Sequence, residues 1–311
     1  MFGDEEEDDY DGRKEFEIDG DSASLLSSRP RNSGVLAFHK GTEEGMFLYL
    51  ERYKTKLLPN FIDEAAVRPE RVAIPPDDCL RLIDKYCYSR HWMMHIGNQK
   101  LPFLENSIKK AMEALPSGQR LICLEIGSYC GYSSVAIAKN LRESDILICI
   151  ECEENCVQWT TRLLQVTGLD TRARVFKSSF ALPECVSDLL SCLSSLNSGS
   201  SDASIGAIFI DHDKRRYLQD LRICEDIKIM RPGCIVIADN VLSFGEPLTE
   251  YLDHVRDTDI YSSSELHKSF IEYAVSAEKI DSAAAFEKGL RDASVSHLDL
   301  IDGVEISIYK S

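Results

Sequence analysis

The sequence lacks any apolar run approaching the ~18 residues that a membrane-spanning helix needs, so no membrane span is expected. It also lacks positive charge: 35 Lys and Arg stand against 52 Asp and Glu, a formal net charge of −17 at pH 7. Nucleic acids and anionic lipid surfaces select basic proteins, so neither is an expected partner. The first residues are neither basic nor apolar. Asp4 to Asp9 is an unbroken acidic run, unlike a secretory signal or a transit peptide, and a cytoplasmic location is expected. Residues 1–35 stay polar, and such a block of like charge predicts a solvated, disordered acidic tail. Cysteine is not scarce, but pairing is not signalled. The eleven cysteines are an odd number, set mostly inside apolar runs, which predicts free thiols in a reducing compartment. Cys149, Cys152 and Cys156 form a CxxC-like cluster, yet no second CxxC or HxxxH follows to complete a zinc site. No internal repeat is visible, and nothing in the sequence sets an oligomeric state.

With 44% apolar residues, the remainder can bury a full core, and residues 36–311 are expected to form one domain. Apolar spacing of three and four predicts cap helices within about 42–115: Met46–Tyr53, Asp77–Tyr88 and Lys100–Leu115. The rhythm then changes. Continuous apolar runs at Leu121–Ile126, Ile146–Ile150, Ile205–Ile210 and Gly233–Ala238, with a weaker one at Arg174–Lys177, alternate with helical segments. Helices are expected at Ser133–Leu141, Cys156–Val166 and Pro183–Leu196, and from Ile210 to Met230. Such alternation predicts βαβ units, hence an α/β fold: a doubly wound, mostly parallel sheet with an N-terminal helical cap.

In doubly wound sheets ligands bind beyond the carboxyl ends of the strands. After the first strand comes Glu125-Ile126-Gly127-Ser128-Tyr129-Cys130-Gly131. Gly127 permits a tight turn, and Gly131 lets the next helix begin close to a ligand. Glu151, ending the second strand, can accept the two ribose hydroxyls of a nucleoside. A dinucleotide fingerprint also carries an acid at this place. The GxxxG spacing, however, and Glu125 at the strand tip suit the ammonium of S-adenosylmethionine better than a pyrophosphate. A dinucleotide oxidoreductase remains the alternative at this point.

Two further strand tips carry acids. Ile208-Phe209-Ile210 runs into Asp211-His212-Asp213-Lys214, and Ile235–Ala238 runs into Asp239-Asn240. Two carboxylates and an amide oxygen suit Mg²⁺ and leave coordination positions for a diol or catechol. A divalent cation lowers a phenol's pKa, and Lys214 is placed to take the proton as catalytic base. Each strand-tip Asp could instead be a helix cap.

The chain resembles the catechol O-methyltransferase family from about Cys79 to Tyr309. The segments that carry the likeness are DDCLRLIDKYCYSRHWMMHIGNQK, LEIGSYCGYSS, FIDHDKRRYL, IVIADNVLSFGEP, SFIEY and IDGVEISIYK, in the family's order. The resemblance implies Asp211, Asp239 and Asn240 as magnesium ligands and Lys214 as the base. It implies Glu272, together with Asn240, Lys214 and Trp92, as contacts for the aromatic substrate. It implies a cofactor pocket of Ile96, Glu125, Gly127, Tyr129, Ser133, Glu151, Ser179, Asp211 and His212. Three departures stand out: Asp213 replaces a tryptophan before the base, Phe244 replaces a proline, and Ser178-Ser179-Phe180-Ala181 replaces Gly-Ala-Ser-Gln. An insertion, Ala274–Leu300, separates SFIEY from the last strand. The implied reaction is Mg²⁺-dependent methylation of a catechol or related ortho-diphenol. A caffeoyl-type or larger phenol, or a non-catalytic binding protein on the same fold, is the alternative.

Overall fold

The computed structural model describes residues 41–57, 73–89, 92–196, 204–242, 248–273 and 301–310. The acidic 1–35 segment, Phe244 and the 274–300 insertion lie outside the described residues.

Alternate residues of the central strands feed two separate cores, which is why those strands are apolar throughout. In β1 (Ile122–Ile126), Cys123 joins one core, while Ile122, Leu124 and Ile126 join the other. The same division holds in β2 (Ile146–Glu151), with Leu147 and Cys149 on one face and Ile146, Ile148 and Ile150 on the opposite one. Three more strands run parallel to these: β3 (Ala173–Lys177), β4 (Ile205–Ile210) and β5 (Met230–Ala238). Two antiparallel strands, β6 (Tyr261–Phe270) and β7 (Ile301–Tyr309), complete a seven-stranded sheet of order β3-β2-β1-β4-β5-β7-β6. The chain reverses direction across the sheet between β1 and β4, and this switch point is where a doubly wound fold opens its ligand crevice.

Helices α1 (Thr42–Leu57), α2 (Pro76–Ser89), α3 (Gly97–Glu113), α4 (Tyr132–Asn140) and α5 (Glu154–Val166) cover one face. The other face carries α6 (Pro183–Leu196), α7 (Tyr217–Asp226) and α8 (Thr249–Val255). The expected α/β architecture is the observed one.

The differences are local. Helix α7 stops at Asp226, and β5 begins at Met230 rather than Gly233. Pro232 and Gly233 suggest a strand start, but the register shift between Ile205 and Ala207 of β4 accommodates them inside β5. Neither α8 nor β6 is predicted above. The β6 sequence YSSSELHKSF is mostly polar because it is an edge strand with partly exposed side chains.

Candidate active site

A cavity of about 510 Å³ opens at the carboxyl ends of the parallel strands, a size typical of small-molecule sites. Its walls include Trp92, Gly127, Tyr129, Glu151, Ser179, Asp211, His212, Lys214, Asn240 and Glu272. The sequence reading thus brings ten of its expected residues to one surface. Ile96, Glu125, Ser133 and Asp239 are buried behind that lining.

At the β1–β2 end the geometry is set by backbone. Gly127 has φ +89°, and a Cβ there would sit 2.5 Å from the carbonyl oxygen of Asp211, so β1 and β4 can approach only without a side chain at that position. The following loop folds back on Glu151. Its Oε2 accepts from the backbone N–H groups of Ser128 (3.0 Å) and Tyr129 (2.9 Å), and its Oε1 from that of Glu153 (3.0 Å). The Cys152 thiol approaches Oε1 as well, at 3.6 Å, so Glu151 is held through both oxygens. Tyr129 reaches outward and donates its hydroxyl to Glu43 of α1 at 2.6 Å.

Glu125 is fully buried. Its Oε2 accepts from Ser134 and from the Cys149 thiol, whereas Oε1 has no partner. Burial pushes this carboxyl up to about 7, against the opposing hydrogen bonds from Ser134 and Cys149. Cys149 therefore belongs to the core beside Glu125, while Cys152 and Cys156 line the cavity. The three do not form a ligand group; among the described residues only Asp239, Glu272 and Asp302 do.

At the β4–β5 end the geometry is set by charge. Lys214 Nζ donates to Asp211 Oδ1 (3.1 Å), Asn240 Oδ1 (2.7 Å) and the Tyr217 hydroxyl (2.8 Å), so two of the three expected metal ligands share one ammonium. Asn240 adopts a left-handed φ of +53°, a conformation asparagine tolerates better than most residues. Its backbone N–H donates to Asp239 Oδ1 at 2.8 Å, and its side-chain amide donates to Glu272 Oε1 (2.8 Å) and Asp302 Oδ2 (2.6 Å). The third expected ligand, Asp239, turns its Oδ1 toward Lys100 at 2.6 Å, leaving Oδ2 without a partner. Burial raises the Asp211 and Asp239 carboxyls, with Lys214 and Lys100 respectively opposing the rise.

Lys100 is the residue that sequence reasoning missed. Fully buried, it is surrounded by Asp239, Glu272 and Asp302. Burial alone would lower its pKa, but the three carboxylates outweigh it and the ammonium is held well above its usual range. A signal existed: Lys100 shares the inward face of α3 with Leu104, Ser107, Ile108 and Ala111, where helical periodicity calls for an apolar residue.

Trp92 and His212 stand at the cavity wall. Trp92 lines the slot and donates its indole N–H to the carbonyl of Glu272 at 2.9 Å. His212 stacks on Tyr217, with Nε2 2.8 Å from Asp220 and Nδ1 without a partner. Asp213 caps the short 3₁₀ turn at Lys214–Arg216 and pairs with Arg215 (2.6 Å), which holds its carboxyl at about 2. Behind the slot, Asp84 of α2 accepts from the hydroxyls of Tyr132 (2.9 Å) and Tyr273 (2.7 Å), joining the start of α4 to the turn that carries Glu272.

A family model described as O-methyltransferase matches residues 77–260, more than half of the chain. Bovine catechol O-methyltransferase is 29% identical over 205 residues, covering 65% of this chain and 68% of that one. A probable O-methyltransferase of Mycobacterium tuberculosis is 30% identical over 198 residues, covering 63% of this chain and 78% of that one. The solved O-methyltransferase from Bacillus cereus in complex with SAH aligns at a TM-score of 0.49 and 15% identity, over 85% of this chain and 100% of that one.

Proposed function

Because the chain belongs to the O-methyltransferase family, transferring a methyl group from S-adenosylmethionine to an oxygen, we propose that its acceptor is a catechol or related ortho-diphenol and that Mg²⁺ assists, held by Asp211, Asp239 and Asn240. The observation that carries this reading is an imbalance of charge. In formal charge, four carboxylates, from Asp211, Asp239, Glu272 and Asp302, face two ammonium groups, from Lys100 and Lys214, an excess of two acids in a mostly buried crevice that agrees with the raised Asp211 and Asp239 carboxyls. Uncompensated buried charge is costly, and the unpartnered Asp239 Oδ2 supports a divalent cation as the missing partner. Bound there, such an ion would lower the pKa of a coordinated phenol and stabilise the developing phenolate.

The chain's own residues supply the rest of the reading. Glu151 accepts from the ribose of the cofactor, and Glu125 stands behind the cavity wall on the side proposed for its ammonium. Ile126, Ile150 and Phe180 give the cavity its apolar walls and exclude water from the nucleoside. Trp92 flanks the aromatic ring of the acceptor, and Glu272 accepts from its second hydroxyl. With a divalent ion supplying the positive charge at the acids, Lys214 would act as the free amine and take the proton of the first hydroxyl on Nζ. The phenolate oxygen then displaces the sulfonium in line, so the O–CH₃ bond forms as the S–CH₃ bond breaks, and S-adenosylhomocysteine and a methyl ether leave. Positioning of this kind is worth roughly 7–11 kcal/mol of barrier. A cytoplasmic location belongs to the same proposal.

The test is labelled methyl transfer to a simple catechol before and after EDTA, with Mg²⁺ added back. Loss and recovery of turnover are expected; turnover that survives full chelation ends the metal reading. Asp213 favours a second reading, a larger or caffeoyl-type phenol, because a short acid lines the cavity where the resembling family has a wide indole. A panel of phenolic acceptors separates the two by kcat/KM.

A further inference from the structure

The hole between Asp239, Glu272 and Asp302 has the makings of a second cation site. One carboxylate oxygen from each lies within 4.8 Å of the others, and all three residues are buried. Asp239 Oδ2 and Asp302 Oδ1 have no hydrogen-bond partner although both residues are only 1% exposed. Asp239 belongs both to this hole and to the ligand set proposed above, as a bridging carboxylate does in sites where two metal ions stand ~3.5–4 Å apart. Yet the hole is not vacant: the ammonium of Lys100 sits in it, 2.6 Å from Asp239 and 2.7 Å from Asp302, and bonded also to Glu272.

We propose that Lys100 is a built-in second cation, whose ammonium fills a carboxylate hole that would otherwise bind a divalent ion and so limits the site to one metal. The inference rests on the reading of Asp211, Asp239 and Asn240 as a metal site only for the count at that first position. A covalently tethered charge has two physical advantages over an ion. It cannot dissociate at low metal concentration, and it keeps Asp239 and Glu272 oriented before any ligand arrives. Lys100 thereby acts as a positioning residue for both. It comes from α3, whereas its partners come from the tip of β5, the end of β6 and the start of β7, so one side chain ties together four chain segments.

The experiment counts Mn²⁺ bound per full-length chain by equilibrium dialysis with electron paramagnetic resonance, comparing the wild type, Lys100→Ala and the double variant Lys100→Ala/Asp302→Asn. Reading the difference between chains cancels weak binding by the acidic surface. The expected result is one additional tight ion in Lys100→Ala, lost again in the double variant. An unchanged count in Lys100→Ala, or an extra ion indifferent to Asp302→Asn, overturns the proposal. A wild type that binds no tight ion would sink the first site alone, since the gain on removing Lys100 is still read. Should Lys100→Ala fail to fold without metal, its refolding is titrated with Mn²⁺: one ion more per refolded chain than in the wild type supports the built-in cation, and an equal number refutes it.

Discussion

The two ends of the cavity are stabilised by different means. Around β1 and β2 the carboxylate that faces the cavity is held by backbone: Glu151 accepts from three N–H groups of neighbouring loops, and Gly127 allows the strand tips to close. Around β4 and β5 the charged side chains are held by one another: Lys100 and Lys214 hold a ring of acids drawn from distant parts of the chain. A backbone-built site is rigid and local. A charge-built site depends on how many charges are present and is sensitive to any change in that number.

The largest effect that would sharpen this contrast comes from the charge-built end. Lys214→Ala removes the proposed base and an ammonium bonded to Asp211 and Asn240, and turnover should fall ~10²–10⁴-fold. Single-turnover methyl transfer measures it, and a rate within a few-fold of wild type would assign the proton to another group. At the backbone-built end, Glu151→Ala strands the N–H groups of Ser128, Tyr129 and Glu153. Hydrogen bonds to a charged group are worth roughly 1.5–3 kcal/mol, so S-adenosylhomocysteine affinity should weaken about 10–100-fold by calorimetry.

A third prediction concerns the link between the ends. Burial raises the Asp84 carboxyl to about 6, against hydrogen bonds from Tyr273 and Tyr132. A carboxyl whose folded pKa is raised holds its proton more tightly in the folded state. It therefore favours folding at low pH, and that benefit is lost as pH climbs from its ordinary value of 3.8 through about 6. Denaturant titrations of wild type against Asp84→Asn should differ in slope across that window, by on the order of 2–3 kcal/mol in total. Parallel curves would remove Asp84 from the account. The smallest effect is expected at Asp213. Its pair with Arg215 is exposed, and such pairs contribute roughly 0–1 kcal/mol, so Asp213→Ala should leave the melting temperature within a few degrees. A larger drop would mean that the cap over Lys214 shapes the acid ring after all.

The same contrast decides what the sequence disclosed. The strand tips were legible because a sheet buried on both faces forces continuous apolar runs, and a run that ends in Glu-Ile-Gly or Asp-His-Asp announces its own functional end. Asp211, Asp239 and Asn240 follow directly from that rule. Lys100 did not, because its meaning depends on acids as far away as residue 302; only its place on the apolar face of α3 hinted at burial. Asp84 was hidden for the same reason, its partners lying at Tyr132 and Tyr273. Strand β6 escaped because its exposed edge position lets polar residues fill it, erasing the hydrophobic pattern that revealed the others.

The chain contains only two tryptophans, and they sit in unlike surroundings. Trp159 of α5 stacks on the buried ring of Phe47, with centroids 5.1 Å apart, whereas Trp92 hangs from the carbonyl of Glu272 at the mouth of the slot. Replacing Trp159 with phenylalanine, which can keep a ring against Phe47, would leave the indole of Trp92 as the sole long-wavelength emitter. If the acceptor ring seats against Trp92 as proposed, that emission becomes an optical gauge of acceptor occupancy, readable in real time without a label and without turnover.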